Sequence, residues 1–469
     1  MNADVGAHCE RRLIGALAVG LLSYFASLVR ADAESQVTSP RLEELAAALS
    51  AGDQTATDSF WRSIDQSRTP LVEPSVDVAS TDVQMTFLWR AQPDQDAANV
   101  RVVVGGLNEW DQAGDPMQRL GKTDVWYRTY RVPAKARFTY YIAWPQGATP
   151  RADALHQITT ESGIVYEALA DPRARSTYLS EFEEVRRLYS YAEGPAAPLE
   201  RYLAVREGVP RGKVETIDVD SKILANQRKV SIYTPPGYRA QGKAYGTLLL
   251  FDRKSYLSVV PTPTILDNMQ ADQVIPPLVA VLIDSRVTND PDGDARSREL
   301  PPNPTYQRFL REELMPLIRA RYNVSKDPAR NVVAGSSFGG LASAFTGLTS
   351  PDLFGNVVSQ SGSYWWYPEC CRSPTAKTVF LAEDSGWMIK GLASAPRKPL
   401  RFYMDVGLWE SADQLMPNRI LRSVLEGKGY DVTYREFAGG HDYVSWRGTL
   451  SDGLIAVIGT QRARAQPAR

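Results

Sequence analysis

Ser337, His441 and a carboxylate between them are side chains of the types that cleave esters, spread along the sequence in the order that such chemistry uses. Ser337 is the centre of Gly335-Ser336-Ser337-Phe338-Gly339, with the apolar run Val332-Val333-Ala334 before it and an apolar, helix-forming stretch from Leu341 after it. A strand, then Gly-x-Ser-x-Gly, then a helix makes a turn so tight that small residues must flank the serine, and the turn lifts its hydroxyl clear of the backbone. Such pentads also arise by chance in loops, so the flanking strand and helix carry the assignment.

A serine hydroxyl needs a base within hydrogen-bond reach before it can attack a carbonyl at neutral pH. The sequence has three histidines: His8 in the leader, His156 at the end of a β-rich region, and His441 after Gly439-Gly440. Only His441 shares a region with Ser337, and it follows the strand-like run 432–437, as the order nucleophile, acid, histidine requires. The acid must fix the imidazole tautomer and stabilise its positive form. Glu410, on the loop that leaves the strand-like run 401–406, is the favoured candidate; Asp413, read as a helix cap, and Asp405, inside the strand, remain alternatives. For the developing oxyanion the amide of Phe338, the residue after the nucleophile, is one donor. The amide of Arg253 or Lys254, after the run 247–251, is the candidate for the second.

These groups need a scaffold. From residue 214 onward, strand-like runs at 229–234, 247–251, 278–283 and 331–334 alternate with helical patterns such as 309–322. That alternation predicts an α/β fold with a mostly parallel, doubly wound sheet, whose catalytic groups gather at the carboxyl ends of strands. Upstream, short alternating runs at 85–89, 100–104, 126–132 and 138–144 predict a small all-β, immunoglobulin-like sandwich. The expected organisation is a signal peptide at 1–33, a helical lead-in at 34–75, the sandwich at 76–175, a linker at 176–212 and the catalytic domain at 213–460.

The leader has Arg11-Arg12, an apolar run over 13–29 and Ala31-Asp32-Ala33, which supplies small residues for a signal peptidase. Export to the periplasm or medium is expected, with no stable membrane insertion after cleavage; an uncleaved membrane anchor is the alternative. Only Cys370 and Cys371 would remain, and a disulfide between adjacent cysteines is strained, so no disulfide framework is implied. A formal charge of −1, from 53 basic and 54 acidic residues, argues against nucleic acid as a partner. No His or Cys cluster has metal-ligand spacing in the catalytic region, so no metal or other cofactor is called for.

Four segments together give the chain a likeness: Val333-Ala334-Gly335-Ser336-Ser337-Phe338-Gly339-Gly340-Leu341, Ser359-Gln360-Ser361-Gly362-Ser363-Tyr364-Trp365-Trp366, Gly439-Gly440-His441-Asp442 with Trp446-Arg447, and Arg298-Glu299-Leu300-Pro301. In these, and upstream in Thr86-Phe87-Leu88-Trp89-Arg90 and Gly121-Lys122-Thr123-Asp124-Val125-Trp126, it resembles the long, two-domain enterochelin (enterobactin) esterases, relatives of the esterase D and feruloyl esterase-like α/β-hydrolases. The likeness covers about residues 83–455, and departs at Phe251-Asp252-Arg253-Lys254, where the family commonly has Asp-Gly. It implies a serine esterase that opens the serine trilactone of a catecholate siderophore, ferric or iron-free, any iron arriving inside the substrate. Tyr364, Trp365 and Trp366 would then offer faces to catechol rings, and Arg253, Lys254, Arg298 and Arg447, with Arg286 and Arg296 near them, would meet anionic charge. Two other readings stay open. A feruloyl or carbohydrate-acyl esterase would use Trp89, Trp110, Trp126 and Tyr127 of the sandwich as a sugar face, and a non-catalytic siderophore-binding protein would keep the scaffold without turnover.

Overall fold

The structure, a computed structural model, describes residues 39–75, 80–91, 99–108, 114–147, 153–159, 163–180, 186–288, 290, 294–368 and 386–460. The leader, Trp110, Cys370 and Cys371 lie outside the described residues. The chain divides into two compact units, one of residues 1–102, 116–134 and 173–175, the other of residues 103–115, 135–172 and 176–469.

In the first unit an antiparallel sheet runs in the order Leu71–Pro74, Asp82–Arg90, Val125–Pro133, Gln118–Arg119. The alternation read at 85–89 and 126–132 is the pairing of the two long strands, which sets Trp89 opposite Trp126. Segment 34–75 is more than a lead-in, because Leu71–Pro74 is a strand of this sheet. Its helices, Pro40–Ser50 and Ala56–Ser67, carry apolar residues at helical spacing and bury Leu42, Leu45, Phe60, Trp61 and Ile64 against Leu71, Leu88, Val125 and Tyr127. The Trp61 indole N–H ends on Asp124, which also receives Arg90, so the polar tip of this core is satisfied.

The second unit holds two sheets. In the smaller, Arg137–Pro145 pairs with Arg187–Glu193 along its first half and with Val165–Leu169 along its second, while Ser176–Ser180 pairs with Arg187–Glu193 and His156–Thr159 with Val165–Leu169. Two of these strands fall inside the stretch expected as a linker. Their signal was the alternation in Leu188, Tyr189, Ser190, Tyr191, which high charge nearby obscured. His156 sits in this sheet with its ring against the Tyr141 edge.

The larger sheet has eight strands, in the order Lys213–Ser221, Asn226–Thr234, Leu278–Ile283, Gly246–Leu250, Val332–Ser336, Asn356–Gln360, Arg401–Gly407, Asp431–Phe437. The last six are mutually parallel and Asn226–Thr234 runs against them. The central strands are apolar on both faces because both are covered. Leu249, Val281, Val333, Val357 and Met404 pack with residues of the helices Met315–Arg321, Phe338–Thr349 and Ala412–Gly427. Leu248, Leu250, Leu282, Ala334 and Val358 pack with those of Thr262–Ala271 and Tyr443–Ile458. The helical pattern at 309–322 is broken in two by a π-turn at Phe309–Leu314. Among the described residues no helix is long and apolar enough to cross a membrane.

Candidate active site

Every residue proposed for bond cleavage follows a parallel strand at its carboxyl end. Ser337 leaves Val332–Ser336 at φ 60° and ψ −124°, a left-handed position held by a non-glycine residue, and the helix Phe338–Thr349 starts at once. The first glycine of the pentad is required by space: a Cβ on Gly335 would lie 2.7 Å from the Gly339 backbone. Phe338, as the first residue of its helix, has no intrahelical acceptor for its N–H, which suits it to an outside oxygen. Six non-glycine residues among those described have positive φ, and three of them, Asp252, Ser337 and Ser361, follow the adjacent strands Gly246–Leu250, Val332–Ser336 and Asn356–Gln360. Such strain costs on the order of 1–3 kcal/mol per residue and collects at working sites.

Glu410 and His441 meet. Glu410 Oε2 lies 2.6 Å from His441 Nδ1, with the carboxylate side chain 1% exposed and the imidazole 17%, so the acid is sealed while the histidine stays reachable. The other oxygen, Oε1, accepts the Gly407 N–H at 2.8 Å and the Ser361 hydroxyl. Asp413 sits in the first turn of Ala412–Gly427, whose N-cap is Ser411 rather than Asp413. Asp405 is wholly buried in its strand; burial, with the nearby Glu410 and Asp452 carboxylates adding to it, pushes its carboxyl up to about 7. The Tyr403 and Thr449 hydroxyls lower that value, yet the carboxyl oxygens complete no hydrogen bond of ordinary geometry.

The loop that carries His441 is pinned from several sides. Ala438 O accepts the Arg137 amide, Gly439 O accepts the Trp409 amide, and Asp442 accepts the amides of Thr139 and Val444. A Cβ on Gly440 would come within 2.7 Å of Gly106 Cα, so the loop closes onto the 105–106 turn only because both are glycine. The strand Arg137–Pro145 thus forms part of the seat of the histidine. No residue type along 137–145 signals this role.

The expected substrate contacts fare differently. The Arg253 amide is not available as an oxyanion donor, because it donates to the Ile283 carbonyl at 3.0 Å. Its guanidinium is held by Asp284 at 2.6 Å. Arg298 pairs with Asp290, and Arg296 grips Asp252 with two nitrogens while lying over the Phe338 ring. Lys254 is half-buried, and Arg286 is exposed. Arg447 is buried, gripped by Glu200 through two hydrogen bonds and stacked over Tyr191, so it meets a structural acid rather than a substrate. Tyr364 is fully buried in the core with its hydroxyl on Ser359, which rules out a catechol face. Trp366 packs at the edge of that core against Trp387. Trp365, half-buried as Trp366 is, lies against Phe338 beside the nucleophile, its indole N–H on Gln414.

The run Gln360-Ser361-Gly362-Ser363 precedes the aromatics that carry the family likeness, yet its own polar atoms hold the site. Gln360 O accepts the Ser337 amide, and the Gln360 side chain ties Tyr256 to Trp446 and Thr449. The Ser363 hydroxyl lies 3.5 Å from that of Ser337. Among the described residues no group of histidine, cysteine and acidic side chains is placed to hold a metal ion.

Comparison with known proteins places this arrangement. The Esterase family model matches residues 221–457, and the model for the N-terminal domain of enterochelin esterase matches residues 84–203. The chain is similar to the iron(III) enterobactin esterase of Escherichia coli K12, 31% identical over 79% of this chain and 90% of that one. It is likewise similar to that of Dickeya dadantii, 30% identical over 87% and 94%. Among solved structures it resembles the enterobactin esterase of Shigella flexneri crystallised in the presence of enterobactin, with a TM-score of 0.67 and 28% identity over 85% of this chain and 97% of that one.

Proposed function

The chain belongs to the enterochelin esterase family, and on that premise we propose that it is a serine esterase that opens the ester backbone of catecholate siderophores, with Ser337 as nucleophile, His441 as base and Glu410 as the triad acid. The observation that carries the residue assignment is the contact of His441 Nδ1 with the sealed Glu410 carboxylate. With Nδ1 so engaged, Nε2 is the nitrogen left for the Ser337 proton.

Ser337 Oγ attacks an ester carbonyl of the trilactone as His441 removes its proton, and the oxyanion is met by the Phe338 amide. Collapse breaks the ester C–O bond, and the imidazolium returns its proton to the departing serine hydroxyl of the substrate. Water, deprotonated by the same histidine, attacks the acyl-enzyme and releases a carboxylic acid and free Ser337. The half-buried Trp365 beside Phe338 supplies a face for a catechol ring. The ferric complex is the substrate of this reading, and opening its backbone weakens the hold on iron. The proposal keeps an immunoglobulin-like fold for the β-rich region, a doubly wound topology for the catalytic sheet, and export by a leader at 1–33, for which amino-terminal sequencing of the native protein should find a start near Glu34.

The test is chromatography of products after incubation with ferric and iron-free enterobactin and with a feruloylated sugar. Release of 2,3-dihydroxybenzoylserine, abolished in Ser337→Ala, is expected. Turnover of the sugar ester alone would overturn the substrate assignment, and no turnover of any ester would favour a binding role.

A further inference from the structure

We propose that Ser361 is a positioning residue for Glu410, and that Trp446 fixes the direction of its hydroxyl. The inference rests on the triad reading and extends it to two side chains outside the triad.

A carboxylate 1% exposed cannot rely on water, so its lone pairs must be met by protein donors. Glu410 Oε1 is met by the Gly407 amide and the Ser361 hydroxyl, which leaves Oε2 for the imidazole. A serine hydroxyl has one proton and can send it in either of several directions. Here the choice is removed. The Trp446 indole N–H is a donor only, and it occupies a lone pair of Ser361 Oγ at 3.0 Å, so the hydroxyl proton is turned onto Glu410. The edge-on Trp446 ring also lies 4.8 Å from the His441 ring, and the same side chain therefore walls the base and steers the group that holds the acid.

The backbone at Ser361 supports a role beyond packing. It sits at φ 45°, a conformation that favours glycine, and its amide is tied to the Asp405 carbonyl at 2.8 Å. Gly362 follows, yet the left-handed position is given to a residue with a hydroxyl. Gln414 donates to the Ser361 and Gly362 carbonyls, which holds the strained turn in place.

Ser361→Ala removes one donor from the carboxylate. The negative charge of Glu410 is then felt more strongly by the imidazolium, while its orientation loosens. Turnover with a short neutral ester should fall about tenfold, the scale of one hydrogen bond to a charged group. The acidic limb of the kcat/KM profile should move to higher pH, because the histidine must be neutral to act. Of the other titratable groups nearby, Asp442 and Tyr443 are retained in every variant, and Asp405, which the Glu410 charge helps to raise, is controlled by comparing Ser361→Ala with the parent of its own background. Trp446→Phe keeps a ring beside His441 but frees the serine proton, and should move the limb in the same direction by less.

The deciding measurement sets Ser361→Ala in wild-type and Glu410→Gln backgrounds. If the hydroxyl acts through the carboxylate, its tenfold cost and the limb shift should largely disappear once Glu410 is Gln. An equal cost in both backgrounds, or an unmoved acidic limb in both Ser361→Ala and Trp446→Phe, would overturn the proposal. Near-wild-type activity of Glu410→Gln would overturn the triad reading itself, a distinguishable failure.

Discussion

The residues proposed to break the ester and those expected at its rim come from neighbouring loops, yet they are held by opposite means. Ser337, Glu410 and His441 each follow a parallel strand, and the latter two meet through a sealed hydrogen bond. Arg253, Arg296 and Arg298 are bound instead to Asp284, Asp252 and Asp290, and Arg447 to Glu200. Topology positions the first group. Charge neutralisation governs the second, since each of these cations, from the buried Arg447 to the exposed Arg298, already has an acid of its own. A cation near a nucleophile is thus weak grounds for an anionic substrate until its own acid has been sought.

Removing the cleavage group should give the largest effect. Ser337→Ala and His441→Ala should each lower kcat by about three orders of magnitude or more, and Glu410→Gln by less, as measured on a short ester. Asp413→Asn and Asp405→Asn should leave kcat within about threefold of wild type. A greater loss at Asp413 than at Glu410 would break the contrast at its centre.

On the other side, Arg447→Ala should cost stability rather than affinity. It leaves Glu200 with only its longer contact to Arg137 at 3.6 Å, a loss in thermal or denaturant unfolding below the roughly 3 kcal/mol of a buried charge with no partner, with KM unchanged. A selective rise in KM at full stability would return Arg447 to the substrate.

Asp405 offers a third test. Its carboxyl is raised to about 7 by burial, so the folded chain keeps this proton while the unfolded chain has lost it above the usual carboxylate value. Stability from this group is present at low pH and lost as pH rises toward 7. Asp405→Asn, neutral throughout, should gain in melting temperature relative to wild type between pH 4.5 and 7.5. A constant difference would show that the carboxyl does not titrate there. Smallest of all, Arg298→Ala should change KM for a ferric catecholate by less than about 1 kcal/mol, since Asp290 already answers its charge.

Much of this was legible in the sequence, for identifiable reasons. The runs at 278–283 and 401–406 are strands at nearly the expected bounds because their apolar density fits only a sheet covered on two sides. The Ser337 elbow declares itself by its glycines. What stayed hidden are relations across distance. Nothing local to Arg447 announces Glu200, and nothing in Ser361 tells which carboxylate its hydroxyl meets. Thr139 contributes only an amide to Asp442, an atom that every residue but proline carries, so no residue type could have marked it.

That last bond joins positions 303 apart, and it gives the site a place in time. During synthesis the strand Arg137–Pro145 is complete long before the ribosome reaches His441, so the seat waits for its occupant. Ser337 emerges next, then Glu410, and His441, the proposed base, comes last of the three. A nascent protein can fold most of its sheet and expose its elbow, yet it holds no proton acceptor for the serine. With His441 as the proposed base, hydrolysis is expected only once residue 441 has been made, and termination before it should yield a chain that is chemically silent.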